Sequence, residues 1–86
     1  MRIYMQTPGA AAEPPKYYQL TLQQDLLGGW LLTREWGQAG ARVSLKREQY
    51  LDFDSAEEAL VKARETQRKK GFQVMFSQGA EGPVRR

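Results

Sequence analysis

Residues 53–72 read FDSAEEALVKARETQRKKGF, and this stretch decides the architecture. Ser55 followed three positions later by Glu58 has the form of a capping box. The serine oxygen accepts from the Glu58 backbone N–H, and the glutamate side chain reaches back to the Ser55 N–H. A helix is therefore expected to start at Ser55. Ala56, Ala59, Leu60 and Ala63 then follow the i, i+3, i+4, i+7 spacing of a buried stripe. Glu57 and Glu58 fall near the positive end of the helix dipole, and Arg68, Lys69 and Lys70 near the negative end. Gly71 suits the left-handed residue just past a helix end. A stripe made mostly of alanine lets such a helix lie close to a sheet.

The sequence on either side of this helix supplies the strands of that sheet. In KYYQLTLQQ, residues 16–24, Tyr18, Leu20 and Leu22 alternate with Tyr17, Gln19, Thr21 and Gln23, the period of a half-buried strand. RIYMQT, residues 2–7, alternates Ile3 and Met5 with Arg2, Tyr4 and Gln6 in the same way. Between them PGAAAEPP, residues 8–15, has no large apolar side chain and reads as a loop. DLLGG, residues 25–29, is a connection leading into WLLTREW, in which Trp30, Leu32 and Trp36 share one face. A Gly37–Gly40 turn follows. In ARVSLKREQYLDF, residues 41–53, Val43, Leu45, Leu51 and Phe53 share a parity that Arg47 and Gln49 interrupt, as in a long twisted strand or a strand followed by an irregular segment. FQVMF, residues 72–76, reads as a last strand, and SQGAEGPVRR, residues 77–86, as a disordered polar tail. The expected fold class is α+β, a small antiparallel sheet with one helix packed on one face, forming a single domain over residues 1–76.

Composition narrows the chemistry. The 86 residues contain neither cysteine nor histidine, which removes disulfides, thiol nucleophiles, imidazole acid–base catalysis and the usual zinc sites. Asp52 and Asp54 bracket Phe53 where aspartates support a turn or a helix start, and neither GAEG nor LLGG has the glycine spacing of a phosphate-binding loop. No catalytic constellation emerges, so the expectation is a non-enzymatic chain without metal or cofactor. No apolar run is long enough to span a bilayer, and the N-terminal stretch lacks a signal-peptide core, so the chain is read as cytoplasmic.

Thirteen basic against ten acidic side chains give a net charge of +3, and the basic ones form two groups. Arg34, Arg42, Lys46 and Arg47 flank the glycine turn, and Lys62, Arg64, Arg68, Lys69 and Lys70 fill the second half of the helix. The helix group reads either as a solvated face or as a surface that contacts phosphates and releases their counterions. Trp36 carries two readings as well. It is either a core or sheet-edge residue, or a ring that stacks on a base or sugar beside the open backbone of Gly37.

WGQAG followed by FDSAEEALVKARETQRKKGF resembles the WGR domain, named for a Trp-Gly-Arg signature in poly(ADP-ribose) polymerases and in standalone or regulator-fused bacterial proteins. The resemblance runs over residues 2–76: KYYQLTL, the strand into Trp36 and Gly37, Gly40, the Phe53, Ser55 and Ala59 helix start, and the Lys69-Lys70-Gly71-Phe72 exit. It implies a small antiparallel sheet with a helix against it and a DNA-binding role near strand breaks, structure-specific and independent of base sequence. Trp36 would pack on the sugar of a terminal nucleotide, with Gly37 keeping the approach open. Arg34, Arg42, Lys46, Arg47, Lys69 and Lys70 are the candidate phosphate contacts. The third signature position is Gln38 instead of arginine, which brings a hydrogen-bond donor but no charge and no bidentate fork. That departure leaves a protein-interaction domain without the DNA role as the alternative, and RNA or single strands as other ligands of the same residues.

Overall fold

A computed structural model of the chain describes residues 1–9 and 13–79. The order is β1 (Arg2–Gln6), β2 (Lys16–Gln24), β3 (Trp30–Gln38), β4 (Ser44–Tyr50), α1 (Phe53–Lys69) and β5 (Gln73–Gln78). The strands form one antiparallel sheet in the order β4-β3-β2-β1-β5, with α1 on one face, so the fold is α+β.

The two periodicities meet in the core. Ile3 and Met5, then Tyr18, Leu20 and Leu22, then Leu32 point from three adjacent strands toward Ala56, Leu60 and Ala63 of the helix, and all nine are buried. Met5, Leu20, Leu32 and Leu60 lose almost all contact with water, each contributing about 1.5–3 kcal/mol relative to exposure. The alanines let α1 sit low over the sheet.

The helix starts earlier than the capping box implies. Asp52 is the N-cap, and its carboxylate accepts from the Ser55 backbone N–H at 3.0 Å. An anionic acceptor at the positive end of the dipole serves better than a hydroxyl placed a turn further in. Contacts with Ser55, chiefly its side chain, hold the Asp52 carboxyl below its ordinary pKa. At the far end Phe72 N–H donates to the Gln67 carbonyl and Gly71 N–H to the Arg68 carbonyl, both at 3.0 Å, a Schellman motif made possible by the φ of +104° at Gly71.

Three boundaries shift. β3 continues through Gly37 and Gln38, so the turn spans Gln38 to Ala41, closed by a 2.9 Å hydrogen bond between them, with Gly40 at φ +82°. β4 ends at Tyr50. The residues it turns toward the helix are Ser44, Lys46, Glu48 and Tyr50, while Val43, Leu45 and Leu51 are exposed and Phe53 enters α1. Leu51 and Asp52 form a bend before the helix, so of the two expected forms the strand followed by an irregular segment is the one present. β5 includes Ser77 and Gln78, paired with Ile3 and Arg2, where the tail was expected to begin. Residues 10–12 of the expected loop and 80–86 of the expected tail lie outside the described residues.

Candidate nucleic-acid interface

The functional question turns on what surrounds Trp36. In the sheet its cross-strand neighbours are Tyr18 on β2 and Ser44 on β4. Tyr18 covers one side of the indole, with centroids 5.5 Å apart and planes 13° from parallel. Ser44 is too short to cover the other. The ring is thus anchored on the core and left partly open, the condition for offering an aromatic surface at low ordering cost.

The Schellman turn brings the end of α1 to the same place. Phe72 packs edge-on against Tyr18 at 6.0 Å, and Trp36, Tyr18, Phe72, Gln67 and Lys70 line a recess of about 360 Å³. A second recess, about 300 Å³, has Trp36, Gly37, Gln38, Arg42, Ser44, Lys16 and Phe72 among its walls. Trp36 and Phe72 belong to both. Of the basic helix end, Lys70 therefore shares a surface with the Trp36 turn, which no spacing argument could establish. Lys16, Arg42 and Lys70 are exposed and have no ion-pair partner among the described residues.

The other expected phosphate contacts are placed differently. Arg34 points toward the helix and forms an ion pair with Glu48, Nη2 to Oε1 at 2.8 Å, both side chains about a quarter exposed. Burial opposes the Arg34 charge, but its contacts with Tyr18 and Glu48 more than offset this, so its pKa lies above the ordinary value. Lys46 shares the same carboxylate at 3.8 Å. Arg47 pairs in register with Thr33, on the opposite parity from Trp36. Arg47 and Lys69 are exposed and line neither recess.

Gly37 and Gln38 have structural tasks of their own. A Cβ on Gly37 would sit 3.3 Å from the Arg42 carbonyl oxygen and 3.4 Å from the Tyr17 ring. The space at this glycine is thus taken up by Tyr17, its partner on β2, on the sheet face away from the helix. That face carries a Tyr4–Tyr17 stack at 6.0 Å and a hydrogen bond from the Tyr17 hydroxyl to Glu35 at 3.1 Å. Gln38 donates from Nε2 to the Pro14 carbonyl at 2.8 Å, which ties the end of the Pro-rich loop beside Lys16. Lys16 and Phe72 are among the lining residues that the sequence did not single out as contacts. The signal for Phe72 was the Lys70-Gly71-Phe72 helix exit, whereas Lys16 reaches the site through its register opposite Gln38.

No group of residues suited to hold a metal ion occurs among the described residues, and no described helix is long and apolar enough to cross a membrane. Neither the curated proteins nor the solved structures contain a match to the chain. Among protein families, the WGR domain matches residues 1–78.

Proposed function

The chain belongs to the WGR family, whose members are nucleic-acid-binding modules rather than catalytic domains, and on that footing we propose that it binds DNA at duplex ends or nicks. The observation that carries this reading is the placement of Trp36. Its half-covered ring lies between Lys70 on one side and Arg42 and Lys16 on the other. An exposed terminal nucleotide offers a sugar or base face to the indole, and the phosphates that follow it meet three unpaired cations. A continuous duplex offers phosphates alone, so preference for an end rests on the ring, and base sequence is not read. The setting is the cytoplasm, and no cofactor or metal enters.

The test is fluorescence anisotropy with labelled DNA of equal length: an open or nicked duplex, a duplex closed by hairpins at both ends, and a single strand. Tighter binding to the open or nicked form, weakened by salt and by Lys70→Gln, is the expected result. Equal affinity for all three forms would overturn end recognition. Binding best to the single strand would move the ligand to single-stranded nucleic acid.

A second reading, a protein-interaction domain that keeps the fold without binding DNA, draws on Gln38. Its side chain is engaged by Pro14 and brings no charge to the site. The same titration separates the two, since this reading expects no salt-sensitive affinity for any DNA.

A further inference from the structure

The helix covers one face of the sheet, and no described helix or strand packs on the other. Alternation sends Tyr4 of β1 and Tyr17 of β2 to this open face, because their neighbours Met5 and Tyr18 are buried against the helix. Phe76 of β5 joins them as the direct partner of Tyr4. Three rings thus stand on three adjacent strands and span about 10 Å at the usual strand spacing. Tyr4 and Tyr17 are half-buried, with planes 16° from parallel. Their 6.0 Å centroid distance is that of an offset pair, which leaves part of each ring uncovered. Phe76 is 46% exposed.

What flanks the rings narrows the ligand. The Arg2 guanidinium lies over the Phe76 ring at 5.5 Å, a cation at one end of the row. At the other end Tyr17 is also a wall of the recess that contains Trp36, Lys16 and Arg42. Gly37, the β3 partner of Tyr17, has no side chain, so that recess passes round the end of the sheet from Trp36 on the helix face to Tyr17 on the open one. Glu35 is the one carboxylate that the strands place on the open face, and it accepts the Tyr17 hydroxyl at 3.1 Å on the β3 side of the row. Beside Tyr4 and Arg2 stand Gln19 and Thr21, uncharged and able to hydrogen-bond. Uncovered rings with a cation at each end suit the bases and phosphates of a single strand. A duplex keeps its bases inside and offers the rings nothing.

We propose that the open sheet face is a second nucleic-acid site, a platform for the single-stranded overhang of a DNA end. The overhang leaves the duplex at Trp36, crosses the rim at Gly37 and stacks its bases on Tyr17, Tyr4 and Phe76, with Arg2 on a phosphate at the far end. A row of about 10 Å matches roughly three nucleotides at about 3.4 Å each. Stacking on ring faces is tolerant of base identity, so the platform reads the presence of an overhang and not its sequence. The path from Trp36 rests on the DNA-end reading above, whereas the row of rings stands without it.

Anisotropy on one duplex, closed by a hairpin at its far end, tests this. The near end is blunt, or carries an overhang of about four nucleotides on its 3′ or 5′ strand, or the same overhangs made of abasic sugars. At least one overhang is expected to bind about 10-fold more tightly than the blunt end, and its abasic form to lose most of that gain. Tyr4→Ile and Phe76→Ala, checked as folded by circular dichroism, are expected to lose most of the gain and to leave blunt-end affinity unchanged. Tyr4→Phe should keep the gain, as should Arg47→Gln, which alters the same face on β4 away from the rings. Trp36→Ala should weaken blunt and overhang ends alike. No gain from either overhang, a gain that abasic sugars reproduce, or one that survives both Tyr4→Ile and Phe76→Ala would each overturn the platform while blunt-end binding upholds the end reading. An isolated strand bound through Tyr4, beside a blunt end that is not bound, would instead sink the end reading and support the platform.

Discussion

Trp30 and Trp36 stand at opposite ends of β3, on the same face, about 20 Å apart for six residues of strand. Each meets an aromatic ring. Trp30 packs edge-on against Phe53 at 4.9 Å, and Tyr50 is its partner on β4. Phe53 opens the helix under the Asp52 cap, so the Trp30 end is closed by large rings and rimmed by Asp25, Asp52 and Asp54. Trp36 faces Ser44 in place of Tyr50, sits at the C-terminal end of the helix in place of the N-terminal end, and has Lys70, Arg42 and Lys16 around it. The helix dipole is complemented at both ends, with acids at one and bases at the other. Both rings are half-buried against the core, and the size and charge of their neighbours set them apart. Trp30 lies between Phe53 and Tyr50 at an acidic end, and Trp36, the ring of the proposed contact, lies beside Ser44 at a basic one.

The sharpest way to break this comparison is to remove each ring. Trp30→Ala is expected to lower stability by about 3 kcal/mol while the folded fraction keeps its DNA affinity. Trp36→Ala is expected to cost less stability and to weaken binding by about 1–3 kcal/mol, roughly 5- to 150-fold. Denaturant melts and anisotropy on the same samples read both effects, and a reversal of the two patterns would end the assignment. Next comes Gly71→Ala, which places a side chain at φ +104°. It should cost about 1–2 kcal/mol and also weaken DNA binding, because the turn it strains positions Phe72 and Lys70.

Smaller effects separate the cations. Three unpaired charges at the Trp36 end give a slope of log K against log salt of about −2.7, from −0.9 per phosphate neutralised. Lys70→Gln or Arg42→Gln should each flatten it by about 0.9, and Arg47→Gln should leave it unchanged, as a salt titration of each variant will show.

The least effect is expected at the acidic end. A hydrogen bond from Gln49, with backbone N–H groups, holds the Asp25 carboxyl below its ordinary 3.8, and Asp52 is lowered by Ser55. The unfolded chain then takes up protons first as pH falls. Their contribution is fully present above the ordinary value and fades as pH drops through the lowered folded values. Acid melts should show a smaller loss over that range for Asp52→Asn, whose side chain does not titrate.

Much of this was legible in the sequence, for identifiable reasons. The alternation of Tyr18, Leu20 and Leu22 and the helix stripe of Ala56, Ala59, Leu60 and Ala63 are local patterns, and the structure buries those residues apart from Ala59, which is half-buried. The partner of Arg34 was not legible, because its charge meets Glu48, fourteen residues away on the next strand, a partnership that only the register creates. The shared parity of Val43, Leu45 and Leu51 marks no buried face because the inward residues of β4 include Lys46 and Glu48, and the Glu48 carboxylate serves both Arg34 and Lys46. Ser55 resembled a cap because Asp52, three positions earlier, produces the same spacing to an N–H within the first turn. Lys16 joins Trp36 only once β2 and β3 are in register across the Pro-rich loop.

The most direct measurement uses the two tryptophans as reporters. With Trp30→Phe, all indole emission comes from Trp36, and with Trp36→Phe, all of it comes from Trp30. Titration with an open-ended duplex is expected to quench or shift Trp36 emission and leave Trp30 emission unchanged, and a duplex closed at both ends is expected to affect neither. Trp36 emission that stays constant while anisotropy shows the DNA bound, or an equal response from Trp30, would contradict the claim that the Trp36 ring meets the DNA end.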